Sequence, residues 1–206
     1  MGLIFIKYNI FVTILVMMCD YHIVRCYMKK ALIAVMFLIS FASYSYAEDM
    51  WINLGYNYYL PEESGAKAPM GPANLTIGGQ VTDWVAIDFS IGYLWDLQPK
   101  QADTDINTMP IRLDFLIQPS FDTGMFDVLP YIGIGPQISA NNTNYANNIF
   151  SYGFSAKAGV RFVENGLLFG VGIEYLYNPV EVEYNGIKNK YNASGIMFGG
   201  EIGVVF

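Results

Sequence analysis

The sequence predicts an all-β fold, an eight-stranded antiparallel up-and-down transmembrane β-barrel, on three observations. Eight segments of about ten residues alternate apolar with small or polar side chains, the period-2 pattern of strands with two unlike faces. Their connections alternate long and short, as loops and turns at opposite ends of a barrel do. Beyond residue 50 no apolar run approaches the ~18 residues of a membrane helix, although 53% of the 206 residues are hydrophobic and only 14% charged.

The first strand, 51–60, sets Ile52, Leu54, Tyr56 and Tyr58 against Trp51, Asn53, Gly55 and Asn57. The second, 73–81, opposes Leu75, Ile77 and Val81 to Asn74, Thr76, Gly78 and Gln80, and Thr82-Asp83-Trp84 turns tightly into the third. There Val85, Ile87, Phe89, Ile91, Tyr93 and Trp95 alternate with Ala86, Asp88, Ser90, Gly92, Leu94 and Asp96. The fourth carries Ile111, Leu113, Phe115 and Ile117 against Arg112, Asp114, Leu116 and Gln118. After a turn at 120–126, longer than the other turns, the fifth has Ile132, Ile134 and Ile138 against Tyr131, Gly133, Gly135 and Gln137. Pro136, which cannot donate to a ladder, predicts a bulge or an early end there. In the sixth, Tyr152, Phe154, Ala156, Ala158, Val160 and Phe162 oppose Gly153, Ser155, Lys157, Gly159 and Arg161. Glu164-Asn165-Gly166 has the Asn-Gly hairpin signature. The seventh sets Leu167, Phe169, Val171, Ile173, Tyr175 and Tyr177 against Leu168, Gly170, Gly172, Glu174 and Leu176. A loop over 178–191 leads to the last strand, 195–206, where Ile196, Phe198, Ile202, Val204 and Phe206 face away from Met197, Gly199, Glu201 and Gly203.

At the other end of the chain, Met28-Lys29-Lys30, the apolar run Ala31–Leu38 and Ser45-Tyr46-Ala47 make a secretory signal over 28–47, with cleavage between Ala47 and Glu48. Residues 1–27 read as an upstream extension, with Met28 the initiator, because a signal's basic region normally opens the chain. Both cysteines (Cys19, Cys26) and the one histidine (His22) fall in that extension. The barrel, 48–206, therefore has neither a disulfide framework nor Cys/His zinc ligands. Of the 11 basic residues it keeps Lys67, Lys100, Arg112, Lys157, Arg161, Lys188 and Lys190, while only Asp20 of the 18 acidic residues is lost. So acidic a chain has no electrostatic footprint for nucleic acid.

Alternation alone leaves the outer face open, since a soluble lipocalin-like binding barrel also alternates, with its apolar face inward. The polar face here is mostly Gly, Ser, Asn and Gln, which suits a cramped interior. The apolar face carries Tyr56, Tyr58, Tyr93, Trp95, Tyr175 and Tyr177 near the long loops and Phe162 and Phe206 at the other end, placed as aromatic girdles. The terminal strand, with Ile202, Val204 and Phe206 on one parity, and the segment Leu129-Pro130-Tyr131-Ile132-Gly133-Ile134-Gly135 resemble those of the small OmpA/OmpX/OmpW-type outer-membrane barrels. The resemblance covers the chain from 48 to 206. It implies a Gram-negative outer membrane, contact with its lipid, and recognition of Phe206, Val204 and Ile202 by the barrel-assembly machinery.

With the apolar face in lipid, Asp88, Arg112, Asp114, Lys157, Arg161, Glu174 and Glu201 point into the lumen, where unpaired charge is costly and pairing is expected. Lys157 is expected to serve Glu174 or Glu201. Such a network makes a polar plug; the alternative is a narrow gated pathway for small solutes, hydrophobic ones included. No enzyme, cofactor or metal site is expected. The barrel segment lacks a histidine base, paired carboxylates would need a cleft, and Asp103-Thr104-Asp105-Ile106-Asn107 departs from a calcium loop at its sixth and twelfth positions and reads as a solvated loop. What remains is a structural or surface-interaction role, with an extracellular ligand met by loops near 61–72, 97–108, 140–149 and 178–191. N-terminal sequencing of outer-membrane material should return Glu48 as the first residue; recovery of residues 1–27 would contradict both the cleavage site and the assignment of the extension.

Overall fold

The computed structural model describes residues 49–62, 70–98, 105–143, 149–184 and 187–206. Ala47, Glu48 and the segments 1–27 and 28–47 lie outside them. In chain order the strands are β1 (Met50–Pro61), β2 (Met70–Thr82), β3 (Val85–Leu97), β4 (Ile106–Ile117), β5 (Phe121–Asp122) and β6 (Asp127–Thr143). There follow β7 (Ile149–Glu164), β8 (Leu167–Tyr177), β9 (Pro179–Tyr184), β10 (Ile187–Asn192) and β11 (Gly195–Val205). Each long strand pairs antiparallel with its neighbours in the order β4-β3-β2-β1-β11-β8-β7-β6, and a β4–β6 pairing closes the ring. The eight-stranded up-and-down barrel is thus formed as expected, with no open sheet edge to leave backbone groups unpaired in hydrocarbon.

Period-2 alternation becomes an inside and an outside. In β1, Leu54, Tyr56 and Tyr58 are exposed while Trp51, Asn53 and Tyr59 are buried, and the same parity split continues around the ring. Phe115, Ile132, Ile134, Val171, Phe198 and Ile202 all lie exposed on the outer wall. A contiguous apolar surface of this extent has no place in water. It rules out the lipocalin-like arrangement, whose apolar residues would point inward, and makes the wall a lipid-facing one. Stacked or tilted ring pairs Tyr58–Phe198, Tyr93–Trp95 and Phe154–Tyr177, at 5.1, 5.6 and 5.2 Å, mark the girdle near the long loops. Phe126 packs edge-on to Phe162 at 5.7 Å near the turns.

Two connections and one strand position differ from the sequence reading. The 120–126 turn is a small hairpin: β5 folds onto the start of β6, pairing Phe121 with Val128 and Asp122 with Asp127, and Gly124 takes the positive φ of 80° that closes it. Residues 178–191, expected as a loop, form the β9–β10 hairpin. Pro136 neither bulges nor ends its strand. The β4–β6 register is unchanged on either side of it, Arg112 opposite Gln137 and Phe115 opposite Ile134, and the β7 ladder runs through Pro136↔Phe154. One missing N–H is tolerated because flanking bonds on both edges hold the alignment. Strands of up to 17 residues also run into the ranges expected as loops: β4 opens at Ile106, which is fully buried, and Asn107 accepts the backbone N–H of Asp96. The solvated-loop reading of 103–107 therefore fails at its last two residues.

The turn end holds the start of β1 and Phe206. Met50 and Phe206 exchange backbone hydrogen bonds of 3.1 and 2.8 Å, and Val205 donates to Gly166 in the β7–β8 turn. That turn has positive φ at both Asn165 and Gly166, the backbone its Asn-Gly pair favours. Arg placed at Phe115 or Val171, on the exposed wall, should destabilise the barrel by roughly 2–4 kcal/mol in equilibrium unfolding from a defined bilayer. Tolerance of Arg at both positions would mean that this wall does not face hydrocarbon.

Candidate functional site: the lumen

Register decides what the inward side chains meet. Asp88 on β3 and Asp114 on β4 are direct cross-strand partners, both fully buried, an arrangement of like charges that is destabilising unless compensated. Compensation comes from across the barrel. Lys157 on β7 places Nζ 2.6 Å from Asp88 Oδ2 and 3.0 Å from Asp114 Oδ2. Arg161, four residues further along β7, donates from Nη2 to the same Asp88 oxygen at 2.7 Å and from Nε to Glu201 Oε1 at 2.8 Å. Arg112 pairs with Glu174. All seven residues expected in the lumen network are therefore brought together and paired. The expected partners of Lys157 are corrected: its ion pairs are with neither Glu174, its neighbour on β8, nor Glu201, because its long side chain reaches across the lumen to Asp88 and Asp114.

Four residues without an expected role complete the layer. Trp51 Nε1 donates to Asp88 Oδ1 at 2.9 Å, Ser155 donates to Asp114, and Gln118 Oε1 accepts Arg161 Nη1 at 2.9 Å. Tyr131 and Trp51 cover the Arg161 guanidinium, with Cζ 4.7 and 5.0 Å from their ring centres, a desolvated cation–π arrangement. The glycines opposite make room for this. A Cβ on Gly78 would come within 2.4 Å of Trp51 Nε1 and 2.2 Å of Asp88 Oδ1, and one on Gly159 or Gly172 would meet the Tyr131 hydroxyl. Inward parity was the signal available for all of them; which strand each would reach was not.

The charge layer is bounded by two apolar layers. Ala86, Leu116, Leu168 and the Trp51 ring pack together toward the turns. Toward the long loops, Tyr59, Leu94, Leu97, Leu176 and Met197 pack with Val180 and Ala193 from the ends of the β9–β10 hairpin. That hairpin is tied down by Tyr59, whose hydroxyl donates to Ala193 O at 2.8 Å, and by Asn178 N donating to Ser194 Oγ at 2.9 Å. Between the layers lies a polar cavity of about 40 Å³, walled by Thr76, Ser90, Tyr131 and the charged groups, which is room for about one or two waters. Each lumen carboxylate is held by a cation. Among the described residues no three His, Cys, Asp or Glu side chains are grouped to hold a metal ion.

A closed ring of strands with an apolar outside and an ion-paired inside defines an outer-membrane β-barrel. The chain belongs to the family described as the outer membrane protein beta-barrel domain, whose model matches residues 31–199. Among solved structures it is similar to the outer membrane protein OprG of Pseudomonas aeruginosa, with a TM-score of 0.56 and 15% identity over 77% of this chain and 95% of that one. It is also similar to Neisserial surface protein A, with a TM-score of 0.53 and 16% identity over 77% and 96%. The N-terminal barrel of P. aeruginosa OprF aligns at a TM-score of 0.50 and 15% identity over 78% and 98%. No curated protein sequence matches the chain. Its place is the outer membrane, as the resemblance implied.

Gly78→Ala should cost about 1–3 kcal/mol in bilayer unfolding by forcing Trp51 off Asp88. At Gly200, where a new Cβ would lie no closer than 3.5 Å to any neighbour, the same substitution should cost much less. Equal costs would mean that the close approach at Gly78 is not used.

Proposed function

We propose that the protein is a non-conducting outer-membrane barrel that acts through its extracellular end, as an anchor or surface-interaction protein rather than as a pore or an enzyme. The observation that carries this reading is the plug at the long-loop mouth. Asn178, Val180, Ala193 and Ser194, at the ends of the β9–β10 hairpin, are all buried against Tyr59, Leu97 and Leu176, so an element read as a loop instead corks the barrel. Below it the paired charge layer surrounds a polar cavity of only about 40 Å³. A hydrophobic constriction excludes water and ions together.

What the cork presents outward is then the working surface. Glu62 receives the Tyr175 hydroxyl at 3.2 Å and the Asn192 side-chain N–H at 3.3 Å, which links the end of β1 to the hairpin. A passage for small hydrophobic solutes is less well supported, because the lumen cavity of about 40 Å³ is smaller than such a solute. The purified protein in planar bilayers should show no stable unitary conductance steps at moderate voltage. Reproducible steps from the wild-type chain would overturn the reading. Tyr59→Phe, by releasing the hairpin's tie to Ala193, should cost about 0.5–1.5 kcal/mol and speed amide exchange at residues 178–194.

A further inference from the structure

The second cavity lies at the opposite end and belongs to neither the charge network nor the extracellular surface. It is a vestibule of about 400 Å³ opening between the short turns, within the size range of small-molecule sites. Trp84, Phe121, Leu129 and Leu168 contribute its apolar wall, and Arg161, Gln118 and Trp51 reach it from the lumen. Arg161 brings no free positive charge, since its guanidinium is held by Asp88 and Glu201 and covered by two rings.

Three carboxylates line the same space, Asp49, Asp83 and Asp127, and none of them has an ion-pair partner among the described residues. Asp122 and Glu164 stand in the adjoining turns. Between Asp49 and Phe206 no lysine or arginine lies at this end: Arg112, Lys157 and Arg161 are in the lumen, and Lys67, Lys100, Lys188 and Lys190 fall in the long connections of the other end. The field in the vestibule is therefore of one sign, and low-dielectric walls concentrate it. A purely acidic rim would attract any cation; an apolar, aromatic wall behind it selects one with a hydrophobic body.

We propose that this turn-end vestibule is a binding site for small amphiphilic cations, an ammonium or guanidinium group carried on an aromatic or short alkyl body. The cationic head lies at Asp49, Asp83 and Asp127, and the body enters between Trp84, Phe121 and Leu129. The site faces the periplasm, the side of the short turns in this class of barrel, and it is independent of whatever the extracellular end engages.

The three tryptophans supply the readout, because Trp51 and Trp84 line the vestibule while Trp95 packs on Tyr93 in the girdle near the long loops. Protein isolated from outer membranes, isotope-labelled and placed in lipid nanodiscs, is titrated with phenethylamine and, separately, with phenethyl alcohol, its uncharged counterpart. The indole N–H signals of Trp51 and Trp84 should shift saturably with the amine while that of Trp95 stays fixed. The alcohol should bind at least about tenfold more weakly, and added salt should weaken the amine alone. Asp83→Asn with Asp127→Asn, isosteric changes at one exposed and one half-buried position, should weaken the amine by a similar factor. The proposal is overturned if amine and alcohol act alike, if Trp95 shifts in step with the other two, or if the double variant binds unchanged. It is equally overturned if a lysine-rich peptide moves these signals and phenethylamine does not, since the acidic turns would then be a protein-docking surface.

Discussion

Two aspartates are held opposite each other inside a membrane protein, and the rest of the lumen is arranged around that fact. The antiparallel register that closes β3 onto β4 leaves no choice about Asp88 facing Asp114. In a dry interior each charge carries a desolvation penalty of several kcal/mol, so the pair can exist only with cations brought to it. Lys157 spans both carboxylates and Arg161 joins Asp88 to Glu201. These contacts tie β3, β4, β7 and β11 across the barrel, where no backbone hydrogen bond can reach. Strand pairing fixes neighbours, and the charge layer fixes which strands face each other across the lumen.

Space for this layer comes from glycine. Trp51 reaches Asp88 over Gly78, and Tyr131 covers Arg161 over Gly159 and Gly172, each at a separation that a Cβ would occupy. Aromatic side chains inside an eight-stranded barrel are otherwise too large for a lumen just wide enough for side chains. Large residues therefore stand opposite small ones, and the two apolar layers, one around Trp51 and Leu168 and one around Tyr59 and Leu97, close the polar middle at both ends. Water is left the small cavity between them and the vestibule beneath.

The inside and outside of every long strand were legible in the sequence because alternation is a local property: the parity of Leu54, Phe115 or Arg161 depends only on its neighbours in the chain. Lumen occupancy by all seven charged residues followed from the same parity. Their partners did not follow, since Lys157 meets Asp88, 69 positions away, and Asp114 rather than Glu174 beside it, and side-chain reach across a barrel leaves no periodic trace. Trp51, Gln118, Tyr131 and Ser155 were placed on the inner face without a role for the same reason. The segment 178–191 was read as a loop, whereas β9 and β10 pair within it, Lys188 opposite Glu183 and Lys190 opposite Glu181. Pro136 misled in the opposite direction, its lost N–H being outweighed by intact ladders around it.

The central claim is that Lys157 exists to neutralise two opposed carboxylates, and the most direct measurement is unfolding free energy in a defined bilayer for Lys157→Met, with and without Asp114→Asn. Removing the cation alone should cost about 3–5 kcal/mol, because it strands buried charge. Adding Asp114→Asn should recover part of that loss, since Asp88 still has Arg161 and Trp51 while the carboxylate left without a cation is gone. A loss below about 1 kcal/mol for Lys157→Met, or a double variant less stable than the single one, would contradict the account, because a stranded carboxylate pair cannot be that cheap in a desolvated lumen.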